Sequence, residues 1–100
     1  MIIRGTTPPI RFSFSEVSPL EMTQAYLTIR QRNILIEKDL SEAVVTEDAL
    51  LWTLTQEETL SLEENRSARV QCRYKFSSGA AGASRTYEEP VYGILKDGEI

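Results

Sequence analysis

The chain has 100 residues, of which 41% are hydrophobic and 26% are charged. This length and composition are typical of one folded domain, so we predict a single domain over residues 1–100. The formal net charge of −4 argues against nucleic-acid binding, because basic residues supply most of the affinity for phosphate. No apolar run reaches the ~20 residues that a membrane helix needs, so we expect no membrane contact.

The first half of the chain alternates apolar and polar residues with a period of two, which indicates β-strands with one buried face. Ile10, Phe12 and Phe14 form the first apolar row. Pro8 and Pro9 stand before it and cannot donate to a strand ladder. We therefore predict that this strand begins at a sheet edge.

A hairpin is predicted next, from a strand over about residues 24–32 and a return strand over 34–40. Arg32-Asn33 forms the tight connection, since Asn tolerates a left-handed backbone. Residues 43–45 are a further short strand. The predicted inward row of the first strand is Ala25, Leu27 and Ile29; in the return strand Ile34, Ile36 and Lys38 face opposite to Leu35, Glu37 and Asp39.

The segment after residue 49 predicts a strand followed by a short helix. Leu50, Trp52 and Leu54 form its inward row. Thr55 and Glu58 then have the spacing of a capping box, in which each side chain accepts from the other residue's backbone amide. We predict one to two helical turns over about residues 56–62.

The clearest strand lies over residues 68–76. Its inward row is Ala68, Val70, Cys72, Tyr74 and Phe76, and its outward row contains Arg69, Gln71, Arg73 and Lys75. The small residues from Ser77 to Ser84 predict a flexible loop. A final strand covers about residues 85–95, and Pro90 favours an edge position or a bulge there.

About seven short strands in roughly 100 residues favour an all-β fold of the immunoglobulin-like β-sandwich type, with one short helix near residues 56–62. A small closed barrel is the main alternative. Seven inward members of the alternating rows are the predicted core: Phe12, Leu27, Ile29, Trp52, Leu54, Val70 and Tyr74.

The residue types needed for common catalytic and metal sites are missing. The chain contains no His and one Cys, so it lacks the commonest general base and cannot build a structural zinc site. We expect no enzyme activity and no cofactor. Cys72 lies in an inward row, so we predict a packed side chain rather than a reactive thiol, and a lone cysteine is typical of a reducing compartment.

The charges are segregated along the chain. Acidic residues and no basic ones occur from Ser41 to Glu64, whereas basic residues and no acidic ones occur from Arg66 to Arg85. The outward basic row could bind an anionic partner, or it could be a solvated face with cross-strand salt pairs. The candidate interaction surface consists of Arg69, Arg73, Lys75, Tyr87 and Tyr92.

Five segments together resemble a family of small proteins from phages and prophages of Gram-positive bacteria. They are residues 3–8, 28–31, 54–60, 70–73 and 94–100, and the most specific is Leu-Thr-Gln-Glu-Glu-Thr-Leu at 54–60. This resemblance implies a structural component of the virion, and the family is similar to other small β-sandwich parts of phage tails and baseplates. The resemblance implies no catalytic residue for this chain.

We therefore predict a phage structural or assembly protein of the tail or baseplate region that acts by protein–protein contact. Its expected partners are other phage structural proteins or a second copy of itself, first in the host bacterial cytoplasm and then in the virion. Two alternatives stay open. One is a small module that contacts a cell-surface glycan or host protein through residues 77–84 and Tyr87 or Tyr92, and the other is a modulator of a host protein.

Overall fold

A computed structural model describes residues 1–100, which form mainly β-strands and one short α-helix. No helix in it is long and apolar enough to pass through a membrane. The strands are β1 (Ile2–Ile3), β2 (Pro9–Ser13), β3 (Met22–Gln31), β4 (Ile34–Asp39), β5 (Ala43–Val45), β6 (Ala49–Thr53), β7 (Arg66–Phe76), β8 (Ala81–Ala83) and β9 (Tyr87–Tyr92); the helix is α1 (Gln56–Leu60), and 3₁₀ turns lie at Pro19–Glu21 and Leu40–Glu42.

The strands form two sheets, which confirms the predicted mainly β fold and excludes one closed barrel. The larger sheet has the order β1-β9-β7-β3-β4, and β8 also pairs with β7. The smaller sheet has the order β2-β6-β5, so β2 is an edge strand, as Pro8 and Pro9 indicate. Only β1 and β9 pair in parallel.

Both sheets contribute to one hydrophobic core. The predicted inward residues of β2, β3 and β6 are buried, as are Ala68, Val70 and Cys72 of β7, whereas Phe76 at the end of β7 is partly buried; Trp52 is fully enclosed. Its ring meets that of Phe12 edge to face at 6.1 Å, and its indole nitrogen donates to the Asp39 carbonyl at 2.8 Å. Tyr74 is only partly buried, because it lies near the end of β7 and packs edge to face on Phe14 at the core margin.

Pairing between β3 and β7 builds the centre of the core. Leu27 lies opposite Cys72 and Ile29 opposite Val70, and all four side chains are completely buried. Burial raises the pKa of the Cys72 thiol to about 12. The thiol is therefore a packed apolar group, as predicted.

The segment predicted as a flexible loop contains β8, so this prediction is wrong in part. Residues 81–83 pair with β7, and Gly82 lies opposite Tyr74. A Cβ atom at Gly82 would lie 2.7 Å from the tyrosine ring. The small residue thus permits close approach of a strand. The parallel strand β1 was not predicted, because two residues are too few to show an alternation.

Two positions, one in a turn and one in a strand, differ in detail from the sequence prediction. In the hairpin between β3 and β4 the positive φ of 55° belongs to Arg32 and not to Asn33. Pro90 lies within β9 opposite Ser67, in a strand with neighbours on both sides. Pairing with β1 involves only Val91 and Tyr92, so at Pro90 itself the strand has β7 as its one neighbour.

The predicted capping box at α1 is confirmed. The Thr55 hydroxyl accepts from the Glu58 amide at 3.1 Å, and the Glu58 carboxylate accepts from the Thr55 amide at 2.8 Å. The helix ends at Leu60, two residues earlier than predicted.

Glu58 has a second role, because its carboxylate also accepts from the buried Lys38 ammonium at 2.9 Å. Lys38 points inward from β4 and donates to the Thr53 carbonyl as well, at 3.1 Å. Burial by itself would raise the pKa of Glu58, but the hydrogen bonds from Lys38 and Thr55 and the lysine charge outweigh it and lower the pKa. The Lys38–Glu58 ion pair therefore joins the helix to β4, and Lys38 also joins both to the end of β6.

Glu58→Ala is expected to lower the free energy of unfolding by ~2–3 kcal/mol, because it leaves a buried ammonium without its carboxylate. Thr55→Ala, which removes only the cap, is expected to cost about 1 kcal/mol. Chemical denaturation at neutral pH measures both. Glu57→Ala is the control, since it removes an exposed neighbouring carboxylate and should change stability by less than about 0.5 kcal/mol.

The sign of the pH dependence follows from the lowered pKa. The stabilisation by Glu58 is present above the unfolded-state value near 4.5 and is lost as the pH falls through the lower folded-state pKa. Glu58→Gln should remove this part of the acid sensitivity. Equal losses for Glu58→Ala and Glu57→Ala would contradict the described ion pair.

The Cys72 thiol is expected to resist a disulfide reagent in the native protein and to react fully in denaturant, because the folded state holds it neutral and enclosed. In the unfolded chain the thiol ionises near pH 9, whereas in the fold it keeps its proton to about 12. Stability should therefore decline above pH 9, and less so in Cys72→Ala. Rapid native labelling would show that β7 opens at this position.

Candidate interaction surface

Four basic side chains lie on the outer face of the larger sheet. Arg69, Arg73 and Lys75 point outward from β7, as predicted, and all three are exposed. Arg30 on β3 lies directly opposite Arg69. We call these four residues the basic face.

The basic face has no ion-pair partner within the chain. All ion pairs of the chain are formed by cations outside this face. No carboxylate lies within 4.0 Å of the charged groups of Arg30, Arg69, Arg73 or Lys75. Even Glu88, which is directly opposite Arg69 on β9, forms no ion pair with it. No cross-strand salt pair therefore neutralises this face, and its four charges are exposed to solvent.

The two opposed arginines line a shallow groove of about 190 Å³. Thr28, Gln71 and Thr86 complete its polar wall. The Gln71 amide already donates to the Ser84 carbonyl at 3.1 Å, while the two guanidinium groups have no carboxylate. Planar guanidinium groups match carboxylate and phosphate oxygens, so the groove suits an anionic group.

The tyrosines occupy different places. Tyr26 lies opposite Arg73 on the outer face and is 40% exposed, although the sequence did not single it out. Tyr92 also points outward and is 48% exposed. It lies four residues beyond Glu88 along β9, roughly 13 Å at the usual strand rise, so it stands at the margin of the basic face.

Tyr87 does not belong to this surface. It lies opposite Val70 on the inner side of β9, and its ring is 6.1 Å from that of Phe12. Burial, followed by the charges of Glu89 and Cys72, raises the pKa of its hydroxyl. The period-two alternation within β9 explains the difference, because Tyr87 and Tyr92 are an odd number of residues apart and so face opposite sides.

The sequence contained one signal that would have added Arg30 and Tyr26 to the candidate surface. Both belong to the outward row of the predicted strand at residues 24–32. Their closeness to Arg69 and Arg73 depends on the pairing of β3 with β7, whose residues are far apart in the chain.

Internal contacts use much of the acidic stretch from Glu42 to Glu64. The Glu42 carboxylate accepts from the Asp39 amide at 2.9 Å, and Glu58 pairs with Lys38. Glu63 lies 3.5 Å from the Arg32 guanidinium and also pairs with Arg66. The stretch is therefore not one free acidic surface.

Models of protein families, curated protein sequences and solved structures were compared with this chain, and none of them matches. The resemblance to phage proteins therefore stays a prediction.

Arg30→Glu is expected to raise the free energy of unfolding by ~0.2–1 kcal/mol at low salt, because it replaces a like-charged cross-strand pair with an oppositely charged one. Chemical denaturation measures the change. Arg85→Glu is the matched control, since it makes the same charge change at an exposed position outside the strands and should have a smaller effect. A clear loss of stability in Arg30→Glu would contradict the assigned register.

Proposed function

We propose that this chain is a structural or assembly protein of a phage particle, in the tail or baseplate region, and that it binds other proteins through the basic face. The observation that carries the proposal is that Arg30, Arg69, Arg73 and Lys75 share one exposed sheet face without any carboxylate partner. Charges placed in this way favour encounter with an acidic surface and fix its orientation.

The position of the basic face suits specific contact. β7 and β3 are both interior strands of the larger sheet, so the backbone under these side chains is hydrogen-bonded on both sides. A rigid backbone lowers the entropy lost when partners bind. Arginine and tyrosine are also enriched in protein interfaces, and Tyr26 lies directly beside Arg73.

The sheet order supports an immunoglobulin-like β-sandwich, which we propose as the fold. In that fold one sheet has the order G-F-C with C′ beside C, and the other contains B, E and D. The run β9-β7-β3-β4 follows the first order, and β2-β6-β5 follows the second. Such sandwiches commonly carry recognition rather than catalysis, and the lack of His supports a role without enzyme activity.

The phage setting rests on the resemblance of the five sequence segments. From this resemblance we propose that the protein occurs in the host bacterial cytoplasm during assembly and afterwards in the virion, and that it acts without a cofactor. Contact with a glycan or host protein through residues 77–84 has less support. Tyr87 is turned inward, and residues 81–83 are held against β7.

The contact surface is tested by binding to an oligo-glutamate peptide at about 0.05 M and about 0.5 M salt. Wild type should bind at low salt and bind at least ~10-fold more weakly at high salt, where the screening length is roughly 4 Å. Arg69→Glu with Arg73→Glu should abolish binding. Arg11→Glu with Lys96→Glu makes the same charge change outside the strands of the larger sheet and should retain it.

Two further arms test the function itself. Mass spectrometry of purified phage particles should detect the chain as a component. A glycan pull-down should capture no wild-type protein. Capture that Tyr92→Ala abolishes would contradict the proposal and favour a glycan-binding module, and tighter binding to duplex DNA than to the peptide would also contradict it.

A further inference from the structure

One end of the molecule is acidic. The end of β2 meets the turn between β5 and β6 there, since the Phe14 amide donates to the Asp48 carbonyl at 2.7 Å, and residues 14–21 lead from this point to the start of β3. No Lys or Arg occurs from Phe12 to Ile29. The exposed carboxylates of this region, which we call the acidic end, are Glu16, Glu21, Glu47 and Asp48.

The acidic end also contains an open groove of about 810 Å³ between residues 16–23 and 76–80. Glu16 and Glu21 line it together with Val17 and Leu20, whose exposed fractions are 38% and 63%. Carboxylates beside apolar surface suit long basic side chains, because their stems pack on apolar groups while their charged heads reach the acids. The basic face presents three arginines and one lysine with a tyrosine among them.

These two surfaces do not neutralise each other within one chain. The only ion pair that involves the acidic end joins Asp48 to Arg11 at 4.0 Å, and Arg11 is not part of the basic face. Glu16, Glu21 and Glu47 have no cation within ion-pair distance. Since no ion pair joins the two surfaces within the chain, their charges are available for contact between molecules.

We infer that the basic face binds the acidic end of a second copy of this chain, in a head-to-tail contact. This inference rests on the proposed function and names the partner. A two-fold symmetric contact between basic faces would place like charges together, whereas a head-to-tail contact joins opposite charges. Contacts of this type lead to rings or filaments, because a head-to-tail pair still has one free basic face and one free acidic end, to which further copies can bind.

The opposed Arg30 and Arg69 define the centre of the contact. Each guanidinium can donate two parallel hydrogen bonds to a carboxylate, so an acidic side chain of the second copy can occupy the groove between them. Glu47 is suited to this position, since it lies on the short turn between β5 and β6 and is not engaged in an ion pair. Its binding would also relieve the repulsion between the two arginines.

Sedimentation velocity of the full chain at about 0.05 M and about 0.5 M salt tests this inference with two charge-reversed variants. Arg69→Glu with Arg73→Glu removes the net positive charge of the basic face, and Glu16→Lys with Glu47→Lys removes the net negative charge of the acidic end. Wild type should associate at low salt and weaken at least ~10-fold at high salt. Each variant alone should be monomeric, and an equimolar mixture of the two should associate again. Melting curves confirm that each variant is folded.

The outcomes separate this inference from the proposed function. A wild type that stays monomeric at both salt concentrations while it binds the oligo-glutamate peptide overturns the second copy as partner and leaves the proposed function standing. A wild type that neither associates nor binds the oligo-glutamate peptide overturns both proposals. Association of the wild type that the mixture of variants does not restore overturns the head-to-tail pairing of these two surfaces.

Discussion

The antiparallel pairing of β3 with β7 determines both the core and the outer surface. Successive residues of a strand point to opposite faces, so one register places Leu27 against Cys72 inside and Arg30 against Arg69 outside. A shift of one residue would bury arginines and expose the central apolar row. The hydrophobic gain of the core therefore holds the two arginines together despite their mutual repulsion, which is far smaller.

A single buried ion pair organises the opposite corner of the fold. Lys38 points inward from β4, an edge strand, and reaches Glu58 in the first turn of α1. The adjacent Asp39 carbonyl accepts from Trp52, so the same few residues join the edge strand, the helix and the central aromatic residue. An inward charge on an edge strand also discourages pairing with another chain, which favours contact through the sheet face rather than through this edge.

The ion pairs show which charged residues are engaged within the chain and which are unpaired. Two acidic residues near α1 are engaged within the chain, Glu58 with Lys38 and Glu63 with Arg32. The basic face and the acidic end, by contrast, keep most of their charges unpaired. Because paired charges tie elements of one chain together and unpaired charges remain free for other molecules, this distribution gives a physical basis for the proposed assembly role.

The sequence by itself determined the elements whose causes are local. The alternation in β3 and β7 predicted which side chains are buried, and the spacing of Thr55 and Glu58 predicted the cap of α1. It did not predict β1 or β8, which are too short to show a period and form only against strands already in place. The partnership of Arg30 with Arg69 and the burial of Lys38 beside Glu58 were likewise decided by the tertiary structure. Both depend on contacts between distant segments, whose register is set by the packing of the whole core and not by neighbouring residues.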